Sequence, residues 1–194
     1  MPKFVGFPKI ARLRRECVIT EKLDGTNAAV HIVQGEPDTP NFVAWVDGFT
    51  LYAQSRNHFI VPGSDNYGFA AWVRDNASEL VKLGPGCHFG EWWGKGIQRG
   101  YGLMERRFSL FNTARWKPEN TPACCHVVPV LYAGKFSTDA VESVLDELRK
   151  NGSWAAPGFK RPEGVVVYLP AARQLFKVTL EHDDVPKSAL KEAA

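Results

Sequence analysis

Short apolar runs, each bounded by turn-forming residues, constrain this chain more than any other feature. Cys17-Val18-Ile19, Ala28–Val33, Phe42–Val46, Thr50–Gln54, Phe108–Asn112 and His126–Tyr132 all have the length and β-branched or aromatic character of strands. Asp24-Gly25, the Gly35–Asn41 loop and Asp47-Gly48 punctuate the first four. Pro129 marks an edge or a bulge within the last of these runs. A further pair, Arg161–Leu169 and Gln174–Leu180, flanks Pro170–Arg173 and predicts a hairpin. Strand, turn and strand around Lys22 predict a second, hairpin-like antiparallel unit.

Only two stretches follow helical periodicity. Phe69, Trp72, Val73, Ala77 and Leu80 recur on one face of a predicted helix over residues 67–83, with Asp65 or Asn66 as its cap. Val141, Val144, Leu145 and Leu148 do so over 138–150, where Ser137, Thr138 and Asp139 supply caps and Gly152 the stop. The length of 194 residues suits one domain, and 44% hydrophobic residues supply an ample core. A net charge of +3 does not by itself announce nucleic-acid binding. Cys17, Cys87, Cys124 and Cys125 lack zinc-ligand spacing, so reduced thiols and a cytoplasmic location are expected. No run approaches the ~18 apolar residues of a membrane span, and no signal-peptide core opens the chain.

Lys22 stands where the first strand meets the Asp24-Gly25 turn, a place from which a lysine can point into a cleft. A free lysine titrates near ~10.4, so its neutral, nucleophilic form costs roughly 4 kcal/mol at pH 7. Burial or neighbouring cations must supply that shift, and a lysine so tuned attacks carbonyl carbon or phosphorus. Other polar residues are open to two readings. Lys9, Arg12, Arg14 and Arg15 form either a phosphate-contacting lip or a solvated basic turn. Arg56, at a strand end, is a surface residue or a grip on phosphate or ribose. Glu91, set among large apolar residues, pairs with a cation or accepts from a ligand hydroxyl. Lys177, inside an apolar strand, faces a protein carboxylate or a bound phosphate.

Six separated pieces, taken in order, resemble one superfamily. Lys22-Leu23-Asp24-Gly25-Thr26-Asn27, Ser55-Arg56, Phe89-Gly90-Glu91, Phe108-Ser109-Leu110-Phe111, Glu163-Gly164-Val165-Val166 and Phe176-Lys177-Val178 are similar to the motifs of covalent nucleotidyltransferases. That superfamily comprises the ATP-dependent polynucleotide ligases and the mRNA capping enzymes. Asp24–Asn27 and Gly94-Lys95-Gly96-Ile97-Gln98 look most like RNA ligases of the double-strand-repair type. The resemblance implies an α+β adenylation domain of two antiparallel sheets with flanking helices and an ATP cleft between them. It implies that Lys22 captures AMP, Lys177 neutralises the α-phosphate and helps keep Lys22 uncharged, and Glu163 holds Mg²⁺, or Mn²⁺ in its place. Phe111 would stack on adenine, Glu91 accept from the ribose, Arg56 contact ribose or phosphate, the Glu21 main chain read the adenine edge, and Asn27 lie near the sugar and metal. AMP would then pass to an RNA 5′-phosphate, and a 3′-hydroxyl would displace it.

Two departures accompany the resemblance. Thr179 stands where the last motif usually carries a second lysine. About fifteen residues follow it, so residues 1–194 are expected to form one domain without an OB-fold or helical appendage, and a partner protein or domain would supply the missing clamp. The competing readings are a DNA-nick-sealing ligase, guanylyl transfer, and a non-catalytic RNA- or nucleotide-binding domain.

Overall fold

The computed structural model describes residues 2–10, 12–13, 15–181 and 183. Of the basic stretch, Lys9, Arg12 and Arg15 lie exposed and outside any helix or strand, and Arg14 falls outside the described residues. Regular structure begins at Glu16.

In chain order the strands and helices are β1 (Glu16–Lys22), β2 (Thr26–Gln34), β3 (Ala44–Val46), β4 (Phe49–Gln54), β5 (Phe59–Ile60), α1 (Phe69–Asp75), α2 (Ala77–Leu80), β6 (Gly86–Gly94), β7 (Arg106–Leu110), β8 (Cys125–Val127), β9 (Val130–Lys135), α3 (Thr138–Asn151), β10 (Gly164–Leu169) and β11 (Gln174–Thr179). A four-stranded antiparallel sheet has the order β11-β10-β1-β9. A seven-stranded sheet runs β3-β4-β2-β6-β7-β8, with β5 added against β4. The expected sheet-rich α+β class is present. The second sheet is mixed rather than antiparallel throughout, because β8 lies parallel to β7.

Alternation decides which face of each sheet is covered. Along β1, Cys17, Ile19 and Glu21 are buried while Val18, Thr20 and Lys22 are half-buried. Cys17 and Ile19, with Val165, Val167 and Leu169 of β10, pack under Val141, Val144, Leu145 and Leu148 of α3. Burial of each such side chain is worth about 1.5–3 kcal/mol. Ser137 Oγ accepts from Ala140 N at 3.1 Å and starts α3, and Gly152 at φ 87° ends it. The second sheet buries Val30, Ile32, Leu51, Trp92, Phe108 and Leu110 with Phe69, Val73 and Leu80 of the helices. Its opposite face carries Asn27, Ala29, Phe89 and Glu91, which pairing places side by side: Asn27 opposite Glu91 and Ala29 opposite Phe89.

Three expectations are corrected. β1 and β2 form no hairpin: β1 pairs with β9 and β10, while β2 pairs with β4 and β6. Gly25 carries the chain from one sheet to the other, where a Cβ would lie 2.4 Å from Trp92 O and 2.7 Å from Trp93 Cβ. The helix over 67–83 is divided at Asn76, whose φ of −111° breaks the α geometry and whose Nδ2 donates to Trp72 O at 2.8 Å. Asp65 does cap it, accepting from Ala70 N at 2.8 Å and Ala71 N at 3.0 Å. Residues 126–132 are two strands in different sheets, with Val128 and Pro129 as the crossing. The hairpin of β10 and β11 forms as expected, with Gly164 opposite Thr179 and Val166 opposite Lys177. No helix among the described residues is long and apolar enough to cross a membrane.

Candidate active site around Lys22

The uncovered faces of the two sheets meet at the turn after β1. Lys22 Nζ lies 2.6 Å from Glu163 Oε2, with the lysine side chain about one quarter exposed and the glutamate 1% exposed. Glu163 precedes β10, and Lys22 is registered against Gly164 of that strand. Gly164 adopts φ 151°, and a Cβ there would approach Val178 O to 2.2 Å. The missing side chain thus lets β11 close against the strand that presents Glu163.

Three contacts hold the turn itself. Gly25 N donates to Glu91 Oε1 at 3.0 Å, Asp24 N donates to the Tyr101 hydroxyl at 2.9 Å, and Arg99 Nε donates to Asp24 Oδ2 at 3.0 Å. Tyr101 is fixed by Trp93 and Phe159, whose ring centres lie 4.9 and 4.7 Å away. Burial pushes its phenol strongly upward, so it stays neutral. Burial likewise raises the Glu91 carboxyl to about 7, with Glu163 and Asp24 adding to the rise and Lys22 and the Gly25 N–H opposing it. Glu91 is therefore an acceptor when ionised and a donor when protonated, and it passes between these states near neutrality.

Lys177 lies on the same face of its sheet as Lys22, paired with Val166 and two rows away from Gly164 and Thr179. Strand spacing and rise place the two lysine Cα atoms about 12 Å apart, so two extended side chains can converge on one anion. Lys177 is exposed and makes no hydrogen bond or ion pair with the other described residues. The contact at Lys22 is Glu163, a carboxylate, rather than a cation.

Glu21 departs from expectation in one respect. Its main-chain N–H donates to Pro129 O at 3.0 Å, so the amide is not open to a ligand edge. Its side chain turns away from the cleft, where Oε2 accepts from Trp154 N at 2.8 Å and Ala155 N at 2.9 Å. Burial raises this carboxyl against the bonds from Ser153, Ala155 and Trp154.

The structure brings Asn27, Arg56 and Phe111 together. With Ala29, Gln54 and Phe89 they line a cavity of about 180 Å³. Phe111 is 40% and Phe89 55% exposed, and Phe111 N donates to Phe89 O at 3.0 Å, which sets the two rings at one opening. Arg56 is exposed at the rim. The part played by Phe89 was missed in the sequence, although its i, i+2 spacing from Glu91 within one strand signals a shared face. Arg99 and Tyr101 were also missed, and Asp24 was read only as a turn residue of the motif. Nothing local marks their contacts, which span 75 to 77 positions.

Thr179 occupies the row of Lys22 and Gly164. Its N donates to Asp183 Oδ1 at 2.7 Å and its hydroxyl lies 3.0 Å from Glu181 O, so the position anchors a turn instead of offering a charge. Among the described residues, no cluster of three or more His, Cys, Asp or Glu side chains has a metal-holding arrangement.

The site thus joins a lysine at a strand end to a buried glutamate, with an aromatic-lined cavity on the second sheet. The chain belongs to the RNA ligase family, whose model matches residues 15–179. Solved structures support the fold. An apo point mutant of Naegleria gruberi RNA ligase superposes with a TM-score of 0.57 at 18% identity, over 99% of this chain and 59% of that one. The same organism's RNA ligase with pyrophosphate gives 0.55 at 18%, again over 99% and 59%. A point mutant with ATP and Mn gives 0.55 at 17%, over 94% and 52%. The chain thus spans little more than half the length of these proteins. No curated protein matches it.

Proposed function

We propose that this chain is an ATP-dependent RNA ligase acting through a lysyl-AMP intermediate on Lys22. The observation that carries the reading is the 2.6 Å contact between Lys22 Nζ and Glu163 Oε2, within a chain of the RNA ligase family. Neutral Nζ would attack the α-phosphorus of ATP in line. A nitrogen–phosphorus bond forms, the bond to the bridging oxygen breaks, pyrophosphate leaves, and Nζ gives up a proton.

Glu163 aims Nζ, and its burial keeps that aim rigid. Its carboxylate also suits a hard divalent ion, which is commonly held by one or two carboxylates together with substrate phosphates. Glu163 would hold Mg²⁺ or Mn²⁺ there, and the ion would supply charge neutralisation at the phosphate oxygens. Lys177, with no protein partner among the described residues, is placed to meet the α-phosphate; Arg56 and Asn27 would meet ribose or phosphate. Phe111, with Phe89 beside it, offers the base a stacking surface. The Glu21 carbonyl lies on the same edge of β1 as its committed N–H, and it is the group left to read adenine.

Transfer of AMP to an RNA 5′-phosphate and sealing by a 3′-hydroxyl would follow. Self-adenylylation draws on side chains of this chain alone, whereas sealing would be helped by a clamp from a partner protein or domain. The test is incubation with ATP and Mg²⁺ followed by intact mass measurement. The expected gain is one AMP, lost in Lys22→Ala. ATP binding without an adduct would instead establish a non-catalytic binding domain, and an adduct with GTP alone would establish guanylyl transfer. Competition between nicked RNA and nicked DNA separates an RNA ligase from a DNA-sealing one.

A further inference from the structure

Arg99, in the loop after β6, uses all three guanidinium nitrogens. Nε donates to Asp24 Oδ2 at 3.0 Å, one terminal nitrogen donates to Arg161 O at 3.1 Å, and the other lies 3.4 Å from Glu181 Oε2. The three acceptors are regularly placed. Asp24 lies two residues after Lys22, Arg161 two before Glu163, and Glu181 two after Thr179. Lys22, Glu163 and Thr179 are themselves neighbours, since Lys22 pairs with Glu163 and shares a row with Gly164 and Thr179. Leu180 N also donates to Glu163 O at 2.9 Å, which closes the circle between β11 and the glutamate.

We propose that Arg99 is a positioning residue for adenylylation: one planar fork fixes the nucleophile turn, the approach to Glu163 and the end of β11 in a single mutual geometry. This role rests on the lysyl-AMP reading above. The fork is required because its donors are rigidly disposed on three separate nitrogens, whereas a lysine gathers its three donors on one nitrogen and cannot span acceptors on three segments. The side chain is 23% exposed, so its bond to Asp24 is partly shielded from water, while Glu181 is 59% exposed and contributes least. Arg99 does not line the cavity bounded by Asn27, Arg56, Phe89 and Phe111. Its loss therefore acts on the geometry of attack and leaves nucleotide capture nearly intact.

The experiment measures single-turnover formation of the AMP adduct as a function of ATP concentration, in the parent protein and in Arg99→Ala, Arg99→Lys, Asp24→Asn, Glu181→Gln and the Arg99→Ala/Asp24→Asn double variant. In Arg99→Ala the maximal rate is expected to fall about 100-fold, the order of loss that a misplacement of about 1 Å causes. The ATP concentration at half-maximal rate should change less than about threefold, a split that a merely structural defect would not produce. Arg99→Lys should fall between parent and Arg99→Ala, and Glu181→Gln should stay within about threefold of the parent. The double variant should be little slower than Arg99→Ala, because both changes break one network. A rate in Arg99→Ala close to the parent's overturns the role, as do losses that multiply in the double variant. If Arg99→Ala does not fold, Arg99→Lys decides: a rate equal to the parent's overturns the role and an intermediate rate at unchanged half-saturation supports it. A parent protein that forms no adduct overturns the ligase reading and this role together, whereas a labelled parent with an unaffected Arg99→Lys removes only the role.

Discussion

Glu91 makes a quantitative test of the site's electrostatics. Its carboxyl is 8% exposed, bonded to Gly25 N, and raised from the ordinary 4.5 to about 7, chiefly by burial. A folded-state value above the unfolded one means that the native protein holds a proton the unfolded chain has released. Stability from this group is complete below pH 4.5, falls as pH rises from 4.5 towards 7, and is flat above. At 1.36 kcal/mol per pKa unit the native state at pH 8 bears a penalty of about 3 kcal/mol. Glu91→Gln retains an oxygen for Gly25 N and abolishes the titration. Relative to the parent, it should gain about 3 kcal/mol between pH 4.5 and pH 8, equivalent to a rise in the Tm difference of about 6–12 °C for a chain of this size. Urea denaturation of both proteins across that pH range measures the difference directly. A difference independent of pH would refute the reasoning, since it would mean that burial does not govern the ionisation of Glu91.

The other expectations concern single contacts. Glu163→Gln keeps the shape of the buried side chain but removes the charge facing Lys22 Nζ, and adduct formation should slow by about 100-fold in a rapid-quench assay. Phe111→Ala should raise the ATP concentration at half-maximal labelling about tenfold, matching loss of one base-stacking contact, with the maximal rate nearly retained. Gly25→Ala should destabilise by about 3 kcal/mol in urea denaturation, because the added Cβ meets the Trp92 carbonyl of β6 at 2.4 Å and not a yielding side-chain tip.

How much of this was legible beforehand differs from residue to residue. Arg56 was singled out by its place at a strand end and Phe111 through resemblance, and the structure sets both at one cavity. Glu163 was assigned a metal through resemblance, yet only the fold shows its contact with Lys22, 141 positions away in sequence. Glu21 was read for its main chain, but pairing with Pro129 occupies its amide, because residues 126–132 divide between two sheets. Lys177 was read as a strand lysine facing a carboxylate or a phosphate, while its lack of a protein partner among the described residues depends on what the other strands bring near.

By itself the sequence determined whatever depends on neighbours a few residues away. The α3 stripe and its Ser137 cap, the Asp47-Gly48 turn, the hairpin of β10 and β11, and the position of Lys22 at a strand end all follow from periodicity and backbone preference. Tertiary structure decided which sheet each strand joined and which distant group met the lysine. Strand pairing is a choice among many non-local partners of similar local character, settled by which faces α3 and the α1–α2 pair can bury. Arg99 shows the consequence: three acceptors scattered from position 24 to 181 become neighbours only after both sheets have formed.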